Sequence, residues 1–302
     1  MPSALLVIVA VVAFARFAPG GAALRDARWY RGWAGWLGDR VQAERGERAL
    51  AMLVVAALVL PAVVAVAVLD GLLARGFWDT VLAFVVLAWA WGPRDLDEDV
   101  AAAVRATDPP ARHAALLRLY PRVTSVPGAG VDAVVHAALL RWFGVLLWFL
   151  LLGPAGALGY RLVALTADAD MRVRLPGAVV DAAALVLRVL DWPAAQLMTL
   201  ALALAGNFDA VVGAWRDWHS DGPGLDRGFL YAAARGCVRV ELADAERDRN
   251  DALVVEIDGD AGAAPGFAAG TAELRDAMSL MWRVLLLWLA FVALIVISGW
   301  VL

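Results

Sequence analysis

Across 302 residues, 62% of the side chains are hydrophobic and only 19% are charged, with a formal net charge of −4. A water-soluble domain needs more surface charge than this, so the composition points to a membrane protein and gives no reason to expect nucleic acid as a partner. All 26 basic residues are arginine, which excludes a lysine Schiff base and a Walker A phosphate loop, and the single cysteine, Cys237, excludes an intramolecular disulfide and a cysteine-cluster metal site.

The chain opens on an apolar stretch, residues 4–17, that ends in Arg16. It lacks the basic start of a signal peptide and predicts a short N-terminal membrane helix. Apolar runs then recur at 49–69, 77–91 with its flanks, 137–158, 182–204 and 282–302. The first would measure about 31 Å at 1.5 Å per residue, the thickness of a bilayer's hydrocarbon core. The expected fold is therefore an all-α polytopic membrane protein with about five spanning helices, the short N-terminal helix and helical cytoplasmic loops. By hydropathy the chain divides into a membrane domain over 1–206, a water-facing segment over 207–281 and a C-terminal spanning helix over 282–302.

Arginine is concentrated in segments 20–48, 92–130 and 207–281 and is scarcer in 70–76 and 160–178. The positive-inside rule places the first three in the cytoplasm of a bacterial inner-membrane protein, and 160–178 on the other face. Segment 207–281 reads as a helix over 226–253 followed by a Gly- and Ala-rich linker over 256–273. With few large apolar side chains it predicts a helical lid rather than a separate enzyme domain. Cys237, within it, reads as a small packed residue. Trp29, Trp33, Trp36, Trp215, Trp218 and Trp282 flank the apolar runs, as interfacial aromatic belts do.

An ionisable group at a membrane helix centre costs roughly 2.5–3.5 kcal/mol on insertion scales, so each needs a partner or a task. "VDAVVHAALLRW" puts Asp132 and His136 at i, i+4 on one helix face, with Arg141 beyond. They read either as a helix end near the headgroups or as ligand-facing groups. Tyr160 and Arg161 end one apolar run, as an interfacial anchor or a binding pair. Asp181, Arg188 and Asp191 share a face, Arg188 and Asp191 as an ion pair. In "VLDWPAAQLMTLALALAG" (189–206), Pro193 removes a backbone N–H, so "DWP" predicts a helix break capped by Asp191 that could form a cavity wall. His113 and His219 have no spaced partners, so no metal site is expected. "RDLDEDV" (94–100) reads as an acidic helix start, with Mg²⁺ binding as the alternative.

"LLGPAGALGYRLVAL" (151–165), followed by the stretch that carries "DWP", resembles the AmpE/CbiB family of inner-membrane proteins. The likeness covers about residues 120–206. It rests on Val131 and Asp132; on Gly153, Pro154, Gly156, Ala157, Tyr160 and Arg161; and on Trp192 and Leu197. The CbiB branch carries further acidic and amide residues where this chain has Gly128, Ala129 and Gly130, and has an arginine in place of Gln196. Its Asn-Thr-Leu-Asp-Ser text stands here as Ala164, Leu165, Thr166, Ala167 and Asp168.

The resemblance implies a helical membrane fold and an AmpE-like regulatory protein, of the kind associated with β-lactamase induction and cell-wall recycling signals. The alternative is a divergent adenosylcobinamide-phosphate synthase, a CbiB-like amide ligase of cobalamin biosynthesis, with its acids moved to Asp168, Asp170 or 95–99. A transporter is a third reading. On the first, Asp132, His136, Tyr160, Arg161, Arg188 and Asp191 line a polar cavity without catalytic or cofactor residues. The expected partners are the lipid bilayer and either a small anionic ligand or a regulatory protein.

Overall fold

A computed structural model describes residues 2–17, 26–41, 48–73, 76–92, 95–121, 123, 126, 128–218, 226–253 and 265–298. Among them there are helices and turns but no strands. In chain order they are α1 (Pro2–Phe17), α2 (Arg28–Gly38), α3 (Arg48–Leu73), α4 (Phe77–Ala90), α5 (Leu96–Arg105), α6 (Pro109–Leu119) and α7 (Ala129–Ala138). A π-helical turn, Leu139–Phe143, leads into α8 (Gly144–Thr166), and a 3-10 turn, Ala169–Val173, precedes α9 (Gly177–Ala205). Then follow α10 (Phe208–Trp218), α11 (Gly228–Leu253) and α12 (Pro265–Ile297).

The all-helical expectation holds. Three helical stretches are long and apolar enough to cross a membrane, Arg48–Leu73, Ala129–Thr166 and Gly270–Ile297, with shorter apolar helices at Leu5–Ala15 and Phe77–Ala90. The aliphatic side chains of α3 that face outward include Leu53, Leu60, Val64, Val68 and Leu72, and α12 likewise exposes Leu286, Phe291, Leu294 and Ile297. Rows of large apolar side chains on an outer surface suit lipid as the solvent, not water. The helix expected over 226–253 is present as α11. The linker expected over 256–273 is corrected in part: from Pro265 the chain is helical, with proline in the first turn where its missing N–H costs nothing. Residues 254–264 lie outside the described residues.

Two compact units divide the chain, the first made of 1–95, 140–194 and 291–302, the second of 96–139 and 195–290. In the first unit α8 packs on α3 and α4, and α1 lies against α4. Inside α8, Gly153 has φ 67° and ψ −155°, a backbone state open to glycine and strained for other residues, and Pro154 follows it. A side chain on Gly144 would lie 2.2 Å from the Tyr160 hydroxyl, and one on Gly156 would lie 2.3 Å from the Trp148 carbonyl oxygen. In a straight helix Gly144 and Tyr160 would stand about 24 Å apart. Both close pairs are centred on residue 152, so α8 is a tight hairpin that doubles back at Gly153. The glycines at 144 and 156 are what let its two arms touch.

The helix break therefore falls at Gly153–Pro154 and not at "DWP", which corrects the sequence expectation. Helix α9 runs unbroken from Gly177 to Ala205 with Pro193 inside it. A proline within a helix leaves carbonyls of the preceding turn short of a donor. Here the Trp148 indole N–H donates to the Leu190 carbonyl at 3.1 Å, from the outgoing arm of the hairpin. The carbonyl that Pro193 deprives is that of Val189, one residue earlier, so this bond ties the outgoing arm to α9 beside the proline without replacing the lost one.

The hairpin also bears on the expected sidedness. The return arm, 154–166, is only about 20 Å long at 1.5 Å per residue. It ends where Thr166 bonds Tyr30 of α2, and the Arg174 carbonyl lies against Gly38 at the end of α2. Helix α2 and residues 166–174 thus lie together in the unit, whereas the arginine count places segments 20–48 and 160–178 on opposite sides. A positive-inside count assumes that each apolar run crosses, and this one returns.

In the second unit α10 packs on α11, α11 on α7, and α5 and α6 on one another and on α7. Phe229, Leu230, Ala233, Ala234, Cys237 and Val238 of α11 are buried. A side chain on Gly206 would stand 3.0 Å from the Cys237 sulfur, so the thiol is packed, and burial pushes its pKa up.

Candidate functional site

The six polar residues singled out in the sequence fall in both compact units. Tyr160, Arg161, Arg188 and Asp191 belong to the first unit, and Asp132 and His136 to the second.

In the first unit the Tyr160 hydroxyl donates to Asp191 Oδ1 at 2.6 Å, and both residues are buried. The hairpin brings Tyr160 inward because Gly144 leaves room for its ring. Arg188 is exposed, three residues before the buried Asp191, and Asp181 is exposed and paired with Arg172 at 2.5 Å. The expected Arg188–Asp191 plug is therefore replaced by the Tyr160–Asp191 bond. A continuous α9 carries the three residues to different surroundings: Asp191 into the packing against α8, the other two outward.

Nearly two turns beyond Tyr160, the Tyr30 hydroxyl lies 2.5 Å from Thr166 Oγ1, and Thr166 donates its own hydrogen to the Leu162 carbonyl at 2.7 Å. Tyr30 must then be the donor to Thr166. Burial pushes the Tyr30 pKa up to about 12.

Arg161 retains only 9% exposure. Among the described residues no hydrogen bond or ion pair reaches its guanidinium. Arg141 acts on it as a like charge and Asp168 as a favourable one. The Asp168 carboxylate itself accepts the Asp170 backbone N–H at 3.1 Å, capping the 3-10 turn.

The second unit contains a paired ladder. Asp132 accepts from Arg235 Nη1 at 2.9 Å, and His136 Nδ1 lies 2.9 Å from the Tyr231 hydroxyl. Asp132 and His136 are four residues apart on α7, Tyr231 and Arg235 four apart on α11, so two antiparallel helices are joined rung to rung. The Tyr120 ring packs on His136 with centroids 4.3 Å apart. Gly128, at φ 82°, caps α7, and the Arg235 methylene stem runs across it; a side chain there would lie 2.7 Å from Arg235 Cδ. Asp132 Oδ1 is buried without a hydrogen-bond partner among the described residues.

Trp282, read from sequence as an interfacial anchor, instead donates to Asp97 Oδ1 at 3.0 Å, while Trp29, Trp33, Trp36 and Trp215 are exposed. Asp97, Glu98 and Asp99 form the acidic first turn of α5. Among the described residues no group of three His, Cys, Asp or Glu side chains could hold a metal ion. His113 is on α6; His219 and Arg94 lie outside the described residues, as does the Trp218 side chain.

Sequence reading missed Tyr231 and Arg235, Tyr30 and Thr166, and Trp148. The i, i+4 spacing in "FLYAAARG" is the one signal that could have found the first pair. The others meet partners far off in the chain.

Compared with family models, curated proteins and solved structures, the chain has no match in any of the three. Fold and sites define an all-helical protein with helices fit to cross a membrane, carrying one buried and one half-buried polar network.

Proposed function

We propose that the chain is an AmpE-like regulatory protein of the bacterial inner membrane, acting in β-lactamase induction and cell-wall recycling signalling, with its arginine-rich segments 20–48 and 92–130 in the cytoplasm. The observation that carries this reading is the buried Tyr160–Asp191 bond. It joins the two stretches on which the family resemblance rests, 151–165 and 189–206, and commits two of their polar groups to each other. A ligase needs such groups turned toward its substrates. A regulator needs a polar contact between helices whose making or breaking shifts a population of states. The Asp132–Arg235 and His136–Tyr231 rungs fit the same use, since two paired helices offer a second such contact.

The test is deletion of the gene in its own host, followed by β-lactamase induction with a β-lactam and by growth dependent on corrinoid synthesis. The expected outcome is altered induction with an unchanged corrinoid requirement, restored by the wild-type chain and not by Tyr160→Phe. Rescue of a strain lacking the corrinoid ligase, fed adenosylcobyric acid and aminopropanol, would overturn the reading in favour of the CbiB-like ligase.

A further inference from the structure

Helix α2, RWYRGWAGWLG, is a weak helix by its own composition. It has 11 residues, and Gly32, Gly35 and Gly38 are among them. A segment this short and this rich in glycine does not hold a helix in water by itself, so what it lies against must hold it. Its side chains sort into three rows. Ala27, Tyr30 and Ala34 are buried at i, i+3 and i+7 and face the unit. Trp29, Trp33 and Trp36 are exposed at i, i+4 and i+7 and form a row of their own. Arg28, Arg31, Gly32 and Gly35 make the third row, which is open: a side chain at Gly32 would meet nothing within 4 Å, and one at Gly35 only the end of Arg174 at 3.9 Å.

The tryptophan row is held in place before any partner arrives. Trp33 and Trp36 stack with centroids 5.1 Å apart, and Trp29 packs against Trp89 at 5.7 Å. The Arg40 guanidinium lies 3.9 Å over the Trp36 ring and donates to the Trp36 carbonyl at 2.7 Å. Three large rings fixed side by side in water are unfavourable unless an apolar phase takes their free faces. Charge is not what this element offers: Arg28 is paired with Asp26, and Arg40 is folded onto Trp36.

Position names the partner. Trp89 is the last residue but one of α4, Tyr30 bonds Thr166 where the return arm of α8 ends, and α2 packs on α3. Helix α3 is long and apolar enough to cross a membrane, as is the stretch that ends at Thr166, and α4 is a shorter apolar helix. The ends of such helices stand at the headgroup layer. Tryptophan settles there, with its ring toward the acyl chains and its N–H toward water.

We propose that α2 is an in-plane helix docked on the bilayer surface, with Trp29, Trp33 and Trp36 seated at the boundary of headgroups and acyl chains and the Arg31–Gly35 row turned to water. An aromatic belt alone would put single rings at the interface; here the whole helix lies in it. The bilayer supplies the second face that this weak helix lacks, and through Tyr30 it steadies the end of the α8 hairpin. Because the attraction is aromatic, a neutral bilayer suffices. The docking holds for a regulator or a ligase alike, so it goes beyond the functional reading above and survives its failure.

The experiment uses the full chain in nanodiscs of pure phosphatidylcholine and in discs that also contain phosphatidylglycerol. Spin labels are placed singly by Trp33→Cys, Trp36→Cys, Arg31→Cys and Gly32→Cys, the native Cys237 being buried. Labels at 33 and 36 are expected to be reached by oxygen and shielded from a water-soluble nickel complex. Labels at 31 and 32 are expected to show the reverse, in both kinds of disc. Amide exchange over residues 28–38 is the second readout. Replacing Trp33 and Trp36 together by serine is expected to speed it by about tenfold or more, and replacing both by phenylalanine by less. Water access at all four labels overturns the proposal and leaves the row for a protein partner. Lipid contact at all four also overturns it, since α2 would then lie within the acyl layer. Lipid contact confined to phosphatidylglycerol discs overturns the aromatic basis, as does exchange in the serine variant equal to that of the wild type.

Discussion

Asp191 accepts the Tyr160 hydroxyl at 2.6 Å inside a helix that the chain's own proline does not break. A buried hydrogen bond to a carboxyl group contributes about 1.5–3 kcal/mol. Tyr160→Phe is expected to lower stability by that amount in detergent unfolding. In a double-mutant cycle with Asp191→Ala the coupling should exceed about 1 kcal/mol, and a coupling near zero would remove the bond from the account.

Glycine at 144 is a steric requirement of the hairpin. Gly144→Ala puts a methyl group onto the Tyr160 ring and is expected to cost about 2 kcal/mol or more, as overpacking of a tight core does. Gly32→Ala, on the open side of α2 with nothing within 4 Å, is expected to be neutral or to stabilise by up to about 1 kcal/mol. Equal effects at the two positions would contradict the doubled-back α8.

Sidedness gives a direct check on the same hairpin. Gly32 and Asp170 are exposed, and the native Cys237 is buried with its thiol pKa raised, so it stays silent toward maleimides. Gly32→Cys and Asp170→Cys are expected to react with a membrane-impermeant maleimide in vesicles of the same orientation. Labelling from opposite faces would mean that α8 crosses.

The Asp132–Arg235 pair keeps 17% and 33% of its side chains exposed, between a surface and a buried ion pair. Asp132→Ala and Arg235→Ala should each cost about 1–3 kcal/mol, and the double variant less than their sum. Strict additivity in thermal unfolding would show that the rung contributes nothing.

Tyr30 sets an alkaline limit. Its folded pKa of about 12 lies above the ordinary value of 10.0, so between these values the folded chain holds a proton that the unfolded chain has released. This contribution is complete below pH 10 and is lost as pH rises through 12, at most about 2–3 kcal/mol. Tyr30→Phe is expected to flatten the fall in stability over that window. An unchanged slope would place the titration elsewhere.

What the sequence determined by itself is the solvent and the secondary structure. Sixty-two per cent apolar side chains in long runs leave lipid-facing helices as the economical solution, and 3.6-residue spacing marks pairs such as Asp132 and His136 as neighbours on one face. Helix propensity and burial act locally, so both are legible in one dimension. The partners were not legible. Tyr30 meets Thr166 across 136 residues, and Arg235 meets Asp132 across 103. Only tertiary structure decided where the chain turns, since the sequence marks Pro193 as the breaker and the chain reverses at Gly153. At Pro193 the Trp148 indole bonds the Leu190 carbonyl, packing the outgoing arm of α8 on a helix that runs on; at Gly153 a positive φ lets the chain reverse. Whether a local weakness becomes a bend depends on what packs against it, and that is set by residues distant in the chain.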